Sequence, residues 1–346
     1  MKAYHLPILR QVLNLPLKLI FLLELAGTAK KLRLILAHCA RKTARLCSPS
    51  AATIAVTGRC NFNCRHCAVD GSRAEAGELA LRDAEKILRD LESLKVPRVY
   101  FGGGEPLLHP DIAGMIGMAS GKGFITFLET NGYLLADETA VQSLKAAGLS
   151  CVCLSLHAAS KNEHDSFCGM PGSFERVMLA LELCVKHRLL AVISVVATKR
   201  LIEDGVISDI ISLARAKGAG ALRLTAPHSA GRWLDFPEPI GAKDINGLTA
   251  IPPFGLPVFN RVSIPRCSIG STLYINPRGE LQPCEFIPYS FGNVLTDGME
   301  QIIRGMRANP MFQSEKPAKC RIDDAEFHRE FISGLTTGGL PVKVYK

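Results

Sequence analysis

Apolar and polar positions along the chain fall into three regimes. From residue 52 onward, short apolar runs of strand length alternate with longer stretches of helical period. Strands are predicted over residues 53–57, 98–101, 125–129, 151–155, 192–196 and 222–225, with helices near 80–94, 111–121, 136–147, 173–187 and 204–217. Such alternation indicates α/β architecture, a parallel sheet wound as a barrel or an open fold, with its chemistry at the C-terminal ends of the strands. After about residue 236 the pattern breaks up. Pro237, Pro239, Pro252, Pro253, Pro257, Pro265, Pro277, Pro283 and Pro288 punctuate short apolar pieces, which reads as a separate loop-rich module.

The first 47 residues follow a third pattern. The apolar run Leu15–Leu25 is interrupted by Pro16, Lys18 and Glu24, so it falls short of the roughly 18 apolar residues of a membrane-spanning helix. The same charges fit a signal peptide poorly. Pro16 and Gly27 divide this extension into short helical pieces. In the last of them, Leu32, Ile35, Leu36, Cys39 and Leu46 form one stripe, and Lys30, Lys31, Arg41, Lys42 and Arg45 spread over the other side. Two readings stand: a helix lying in an anionic membrane surface, or a stripe packed on the protein's own barrel with a solvated basic face.

Charge sharpens this division. The chain of 346 residues has a net charge of +9. Residues 1–47 hold nine basic side chains against the single acid Glu24, so all but +1 of that charge belongs to the extension. No aromatic residues interleave with the basic ones, so a nucleic-acid partner is not expected. With 47% hydrophobic residues there is ample core, which excludes a disordered chain and a disulfide-stapled miniprotein. The expected location is cytoplasmic, peripheral on the inner face of the membrane if the extension binds lipid.

The candidate chemistry lies in the 12 cysteines. Directly after the first strand comes Cys60-Asn-Phe-Asn-Cys64-Arg-His-Cys67, three thiols on one loop that can converge on a single metal centre. Zinc in a structural site takes four ligands, and no fourth Cys or His completes that spacing, although His66 lies inside the motif. On a cubane iron–sulfur cluster, three cysteines leave one iron open for a small chelating molecule. The second strand ends in Gly102-Gly103-Gly104-Glu105-Pro106, where glycine permits close backbone approach and Glu105 can accept hydrogen bonds from an amine. The third strand ends Glu129-Thr130-Asn131-Gly132, and the fourth ends at Ser155.

The three-Cys loop, with His66 before its last Cys and Gly-Gly-Glu-Pro after the next strand, resembles the radical S-adenosylmethionine (SAM) enzymes over roughly residues 50–235. The resemblance implies a partial (β/α)6 TIM-like barrel. Cys60, Cys64 and Cys67 would hold a [4Fe–4S] cluster whose open iron binds SAM, and Gly103, Gly104 and Glu105 would hold its methionine amine. His66 would lie near the adenine, and Thr130, Asn131 and Ser155 would reach the ribose or carboxylate. It further implies a reductant such as flavodoxin or ferredoxin, and a 5′-deoxyadenosyl radical that abstracts hydrogen from substrate. A non-catalytic iron–sulfur or zinc-binding protein on a barrel scaffold is the competing reading.

In the loop-rich module after residue 236, Cys267, Gly279, Cys284 and Cys320 are similar to the SPASM/twitch-type auxiliary cluster domain, in its shorter one-cluster form. Its fourth ligand is open; Asp323, Asp324, His328 or an unligated iron are the candidates. The expected domains are therefore an extension over 1–47, a barrel over 48–235 and an auxiliary cluster module over 236–346. Cys39, Cys47 and Cys184 read as helix-face hydrophobes, and Cys151 and Cys153 as barrel-interior residues. Cys168, expected on a loop after the fourth strand, is a candidate donor of a hydrogen atom or proton to a substrate radical. Pro227-His228-Ser-Ala-Gly231-Arg232, after the sixth strand, offers two possible substrate contacts in His228 and Arg232. The expected substrate is a peptide or a membrane-resident lipid or isoprenoid, with a tetrapyrrole as a third possibility.

Overall fold

The computed structural model describes residues 49–69, 77–233, 258–260, 271–312, 320–333, 335 and 341–344. The amphipathic extension, the expected boundary at 235/236 and Cys267 lie outside the described residues. No helix among those described is long and apolar enough to cross a membrane.

Six strands form at the expected places: β1 Ala51–Thr57, β2 Arg98–Gly103, β3 Ile125–Thr130, β4 Cys151–Ser155, β5 Ala191–Val196 and β6 Ala221–Thr225. They pair in parallel in sequence order, as a partial barrel requires. The crossovers are helices α1 Leu81–Ser93, α2 Ile112–Gly121, α3 Glu138–Ala146, α4 Lys161–Cys168, α5 Ser173–Lys186, α6 Lys199–Glu203 and α7 Val206–Ala216. Strand β1 is buried along nearly all its length on both faces, and its sequence AATIAVT is accordingly almost wholly apolar.

Alternation along the strands sorts the core into two layers. Val99, Phe101, Leu128, Val152, Leu154 and Ile193 face the helices with Ile87, Leu91, Met115 and Leu181. Ile125, Phe127, Cys151, Cys153, Val192 and Ala221 form the concave interior, so the two strand cysteines lie inside the barrel as expected. Cys184 packs on the helix side.

Two features differ from expectation. Residues 161–168 form α4 rather than loop, so Cys168 is the last residue of a helix, closed by Gly169 at φ 63°. The stretch His164–Cys168 was too short and polar for its periodicity to stand out. The C-terminal segment also starts within the barrel's own sheet: β8 Thr272–Ile275 pairs in parallel with β1, and β9 Leu281–Gln282 pairs antiparallel with β8. This covers the β1 edge, which would otherwise expose unpaired backbone groups. At the other edge, β7 Val258–Asn260 pairs with β6.

Candidate functional site

The site is built where β1 and β2 end side by side. Gly104 N–H donates to Thr57 O (2.9 Å) and Glu105 N–H to Arg59 O (2.8 Å), so the Gly-rich turn is stitched onto the start of the Cys loop. The two glycines follow from that contact. A Cβ on Gly103 would lie 2.3 Å from Thr57 O, and one on Gly104 would lie 2.1 Å from Arg59 O. Gly103 also has φ +125°.

Glu105 is buried, with 1% exposure, and ties three elements together. Its Oε1 accepts from Thr130 Oγ1 (2.7 Å) and Leu107 N–H (3.0 Å), and its Oε2 accepts from Asn131 N–H (2.8 Å). Burial raises its pKa to about 7 despite these donors. A carboxylate has about four acceptor positions, so one remains for an incoming ammonium. Asn131 then links β3 to the Cys loop, donating from Nδ2 to Asn61 Oδ1 at 2.8 Å while its Oδ1 accepts from Tyr133 N–H.

The other side of the Cys loop rests on α4 and on the turn after β6. Asn63 N–H donates to Cys168 O and Arg65 N–H to Phe167 O, both at 3.1 Å. Arg232 donates from its backbone to Cys67 O (3.0 Å) and from Nη1 to Cys64 O (2.9 Å). Gly231, with φ +58°, allows this approach; a Cβ there would stand 2.1 Å from Cys67 O.

Cys60, Cys64 and Cys67 are half-buried, and the negative charges of Glu105, Cys64 and Cys67 add to the upward shift of Cys60. Burial pushes the Cys60 thiol up to about 12. The Cys64 thiol is pushed up as well, first by its hydrogen bond with the Cys168 thiol and then by burial. Thiols held this way are inert until a cation stabilises the thiolates. Cys168 is only 2% exposed, and its Sγ lies 3.6 Å from His164 Nε2.

His66 stacks on Phe167 (centroids 5.0 Å, 27°) and meets His157 edge-on at 4.5 Å. Its burial, with the Arg232 charge nearby, lowers its pKa to about 4, so the ring is neutral. His66 Nδ1 is buried without a hydrogen-bond partner among the described residues. An orphaned ring nitrogen beside a three-thiol loop suits a polar ligand edge such as a purine. Together with the glycine contacts, these donors fit a cluster and a bound adenosyl group.

Above the apolar floor of the barrel the same strand faces turn polar. Arg223 pairs with Glu129 (2.8 Å) and donates from Nε and Nη2 to Ser194 Oγ (3.1 and 2.9 Å). Ser155 stands in register with Ser194 and is half-buried, so it lines this layer and not the Glu105 cluster. The Glu129–Arg223–Ser194 network escaped the sequence reading. Period-2 counting from Phe127 and Ala221 would have placed Glu129 and Arg223 on one face.

At the far side of the 227–233 turn, His228 joins Cys320 and Asp323. Asp324 instead caps the next helical turn through Phe327 N–H (2.9 Å), and His328 Nδ1 lies 3.3 Å from Ser333 Oγ. Cys284 and Cys320 border one apolar patch with Ala230, Ile287 and Ile322. Among the described residues of this region, Cys320 is brought together with Asp323 and with His228, whereas Cys284 is placed only at the border of the same apolar patch.

The sequence matches the family model of the radical SAM superfamily over residues 54–200 and that of the SPASM iron–sulfur cluster-binding domain over residues 267–323. Mycofactocin maturase MftC of Mycobacterium ulcerans is 31% identical over 72% of this chain and 73% of its own length. An AdoMet-dependent heme synthase of Methanosarcina barkeri is 35% identical over 48% of this chain, a match that spans 47% of that relative. Streptococcus suis SuiB, solved bound to precursor peptide SuiA, shares the fold with a TM-score of 0.62 at 16% identity, covering 83% of this chain and 71% of that one. The chain therefore belongs to the radical SAM superfamily with a SPASM domain, and is an enzyme whose cofactors are SAM and [4Fe–4S] clusters.

Proposed function

We propose that this enzyme cleaves SAM reductively and uses the resulting radical to abstract hydrogen from a substrate held over the barrel mouth. The observation that carries this reading is the stitching of the three-Cys loop to Gly103-Gly104-Glu105 at the ends of β1 and β2. Cys60, Cys64 and Cys67 would hold the cluster, which would supply a single electron for the reductive cleavage of SAM, with flavodoxin or ferredoxin as the reductant. The chain's own residues position and protect. The open acceptor position of Glu105 and the edge formed by Gly103 and Gly104 receive the methionine ammonium. His66 offers its unpartnered Nδ1 to the adenine, and Ser155, in the Ser194 layer away from Glu105, would reach the ribose rather than the methionine end. Thr130 and Asn131 act mainly by holding Glu105 and the Cys loop in register. Phe167, Trp233 and His157 pack around His66 and hold its ring in place.

Two substrate chemistries are supported by different observations. A peptide is supported by the mycofactocin maturase relative and by the SuiA-bound fold neighbour. A membrane-resident lipid is supported by the basic, amphipathic residues 1–47. The test is anaerobic turnover with perdeuterated candidate pools, one of peptides and one of polar lipid extract. Deuterium in the released 5′-deoxyadenosine identifies the pool that donates hydrogen. Release of 5′-deoxyadenosine that never acquires deuterium from either pool removes both substrate assignments. The membrane arm has its own control: deleting residues 1–47 should abolish binding to anionic vesicles, and retained binding contradicts it.

A further inference from the structure

A second group of metal-binding side chains lies between the barrel and the C-terminal segment. His228 follows β6, whereas Cys320 caps and Asp323 ends a short helical turn, Arg321–Asp323, anchored by the fully buried Ile322. One ring nitrogen of His228, Cys320 Sγ and a carboxylate oxygen of Asp323 all lie within 4.8 Å of one another. These residues are 95 positions apart in sequence for the His–Asp pair, so the fold and not local spacing assembles them.

The polar contact inside this group has a definite sense. His228 Nδ1 and Asp323 Oδ2 are 2.9 Å apart. A neutral imidazole carries one N–H, and a neighbouring carboxylate draws it to Nδ1, which leaves the Nε2 lone pair available. That is how metal-ligating histidines are oriented: the carboxylate fixes the tautomer and raises the basicity of the other nitrogen. The side chains of His228 and Asp323 are 13% and 18% exposed, and Phe286 packs 4.2 Å from the imidazole. A thiol, an oriented imidazole and an apolar shell together suit a thiophilic transition-metal centre better than a hard cation.

The geometry points to His228 as a ligand of the auxiliary iron–sulfur centre, bound through Nε2, with Asp323 orienting the ring instead of ligating. Cys320 supplies a thiolate to the same centre, and Cys284, at the border of the same apolar patch, is the further thiolate that the SPASM reading assigns to it. This assignment rests on the SPASM cluster reading and is independent of SAM cleavage. It gives the 228–232 turn two contacts: His228 reaches the auxiliary site while Arg232 holds the Cys64 and Cys67 carbonyls of the first loop. The two centres are thereby joined through one five-residue turn.

The test uses the full chain with Cys60→Ala, Cys64→Ala and Cys67→Ala combined, reconstituted anaerobically with iron and sulfide. About four irons are expected to remain. Pulsed EPR of the reduced protein should show a directly coordinated nitrogen, whose coupling changes when histidine is supplied as the 15N form. Adding His228→Ala should remove the coupling, His228→Cys should remove it while keeping the iron, and Asp323→Asn should preserve it. Iron without nitrogen coupling, or coupling that survives His228→Ala, overturns the assignment. An iron-free triple variant overturns the auxiliary-cluster reading and this ligand with it.

Discussion

Replacing Gly104 with Ala tests whether the two strand ends must touch. The new Cβ would lie 2.1 Å from Arg59 O, 2.6 Å from Arg59 C and 2.8 Å from Gly58 O, all backbone atoms that no rotamer change can move. Reaching ordinary contact requires a displacement of about 1 Å or more. That displacement breaks or stretches two hydrogen bonds, Gly104 N–H to Thr57 O and Glu105 N–H to Arg59 O. Overpacking costs about 1–3 kcal/mol, and the two bonds about 1 kcal/mol each. The expected loss is therefore about 3–5 kcal/mol, against a total stability of about 5–15 kcal/mol. Gly121→Ala is the control, because that helical position has nothing within 4 Å and should gain up to about 1 kcal/mol. Urea unfolding of the metal-free protein measures both. Iron retained after reconstitution reports the site, since Arg59 directly precedes Cys60. Wild-type stability and wild-type iron in Gly104→Ala would show that the turn does not hold the Cys loop.

Glu105→Gln should alter the pH dependence of stability in the metal-free protein. Burial raises the Glu105 pKa to about 7 from the ordinary carboxyl value of about 4.5, so its protonated form is favoured by folding. Its stabilising contribution is fully present below about pH 4.5 and is lost as pH rises through about 7, a change of about 3 kcal/mol. Glutamine stays neutral, so the variant should lack that decline; parallel wild-type and variant profiles from pH 4.5 to 7 would contradict the assignment. Arg223→Met leaves the half-buried Glu129 carboxylate without its ion-pair partner and should cost about 1–3 kcal/mol by thermal or urea unfolding, with unchanged stability counting against the pair. Cys168→Ala should keep its full iron content, because the thiol sits beside Cys64 without belonging to the Cys loop. If Cys168 also donates hydrogen to a substrate radical, the variant should yield less product per 5′-deoxyadenosine, and an unchanged ratio and rate would dismiss that role.

The barrel was legible because its strands are short, mostly apolar runs separated by helical stretches, and its partners are consecutive in the chain. Strand β4, with Cys151 and Cys153 on one face and Val152 and Leu154 on the other, shows the alternation in five residues. Cys60, Cys64, Cys67 and Gly103-Gly104-Glu105 were legible as motifs, and the glycine contacts now give the motif a steric reason. Helix α4 was not legible, because its buried side is only His164 and Cys168 within a polar stretch. Glu105 looked like a free acceptor in sequence, yet the donors that occupy it come from Leu107, Thr130 and Asn131. His228 was visible only as part of a turn, since its partner Asp323 is remote in the chain and meets it through tertiary packing alone.

The central claim is that the loop of Cys60, Cys64 and Cys67 presents an open iron to SAM. Its direct test is EPR of the anaerobically reduced, reconstituted protein with and without SAM, followed by assay of 5′-deoxyadenosine. SAM should shift the spectrum of one cluster and release 5′-deoxyadenosine, and Cys64→Ala should abolish both effects while leaving the auxiliary signal. A spectrum indifferent to SAM, with no 5′-deoxyadenosine formed by an iron-loaded wild-type protein, would contradict the account.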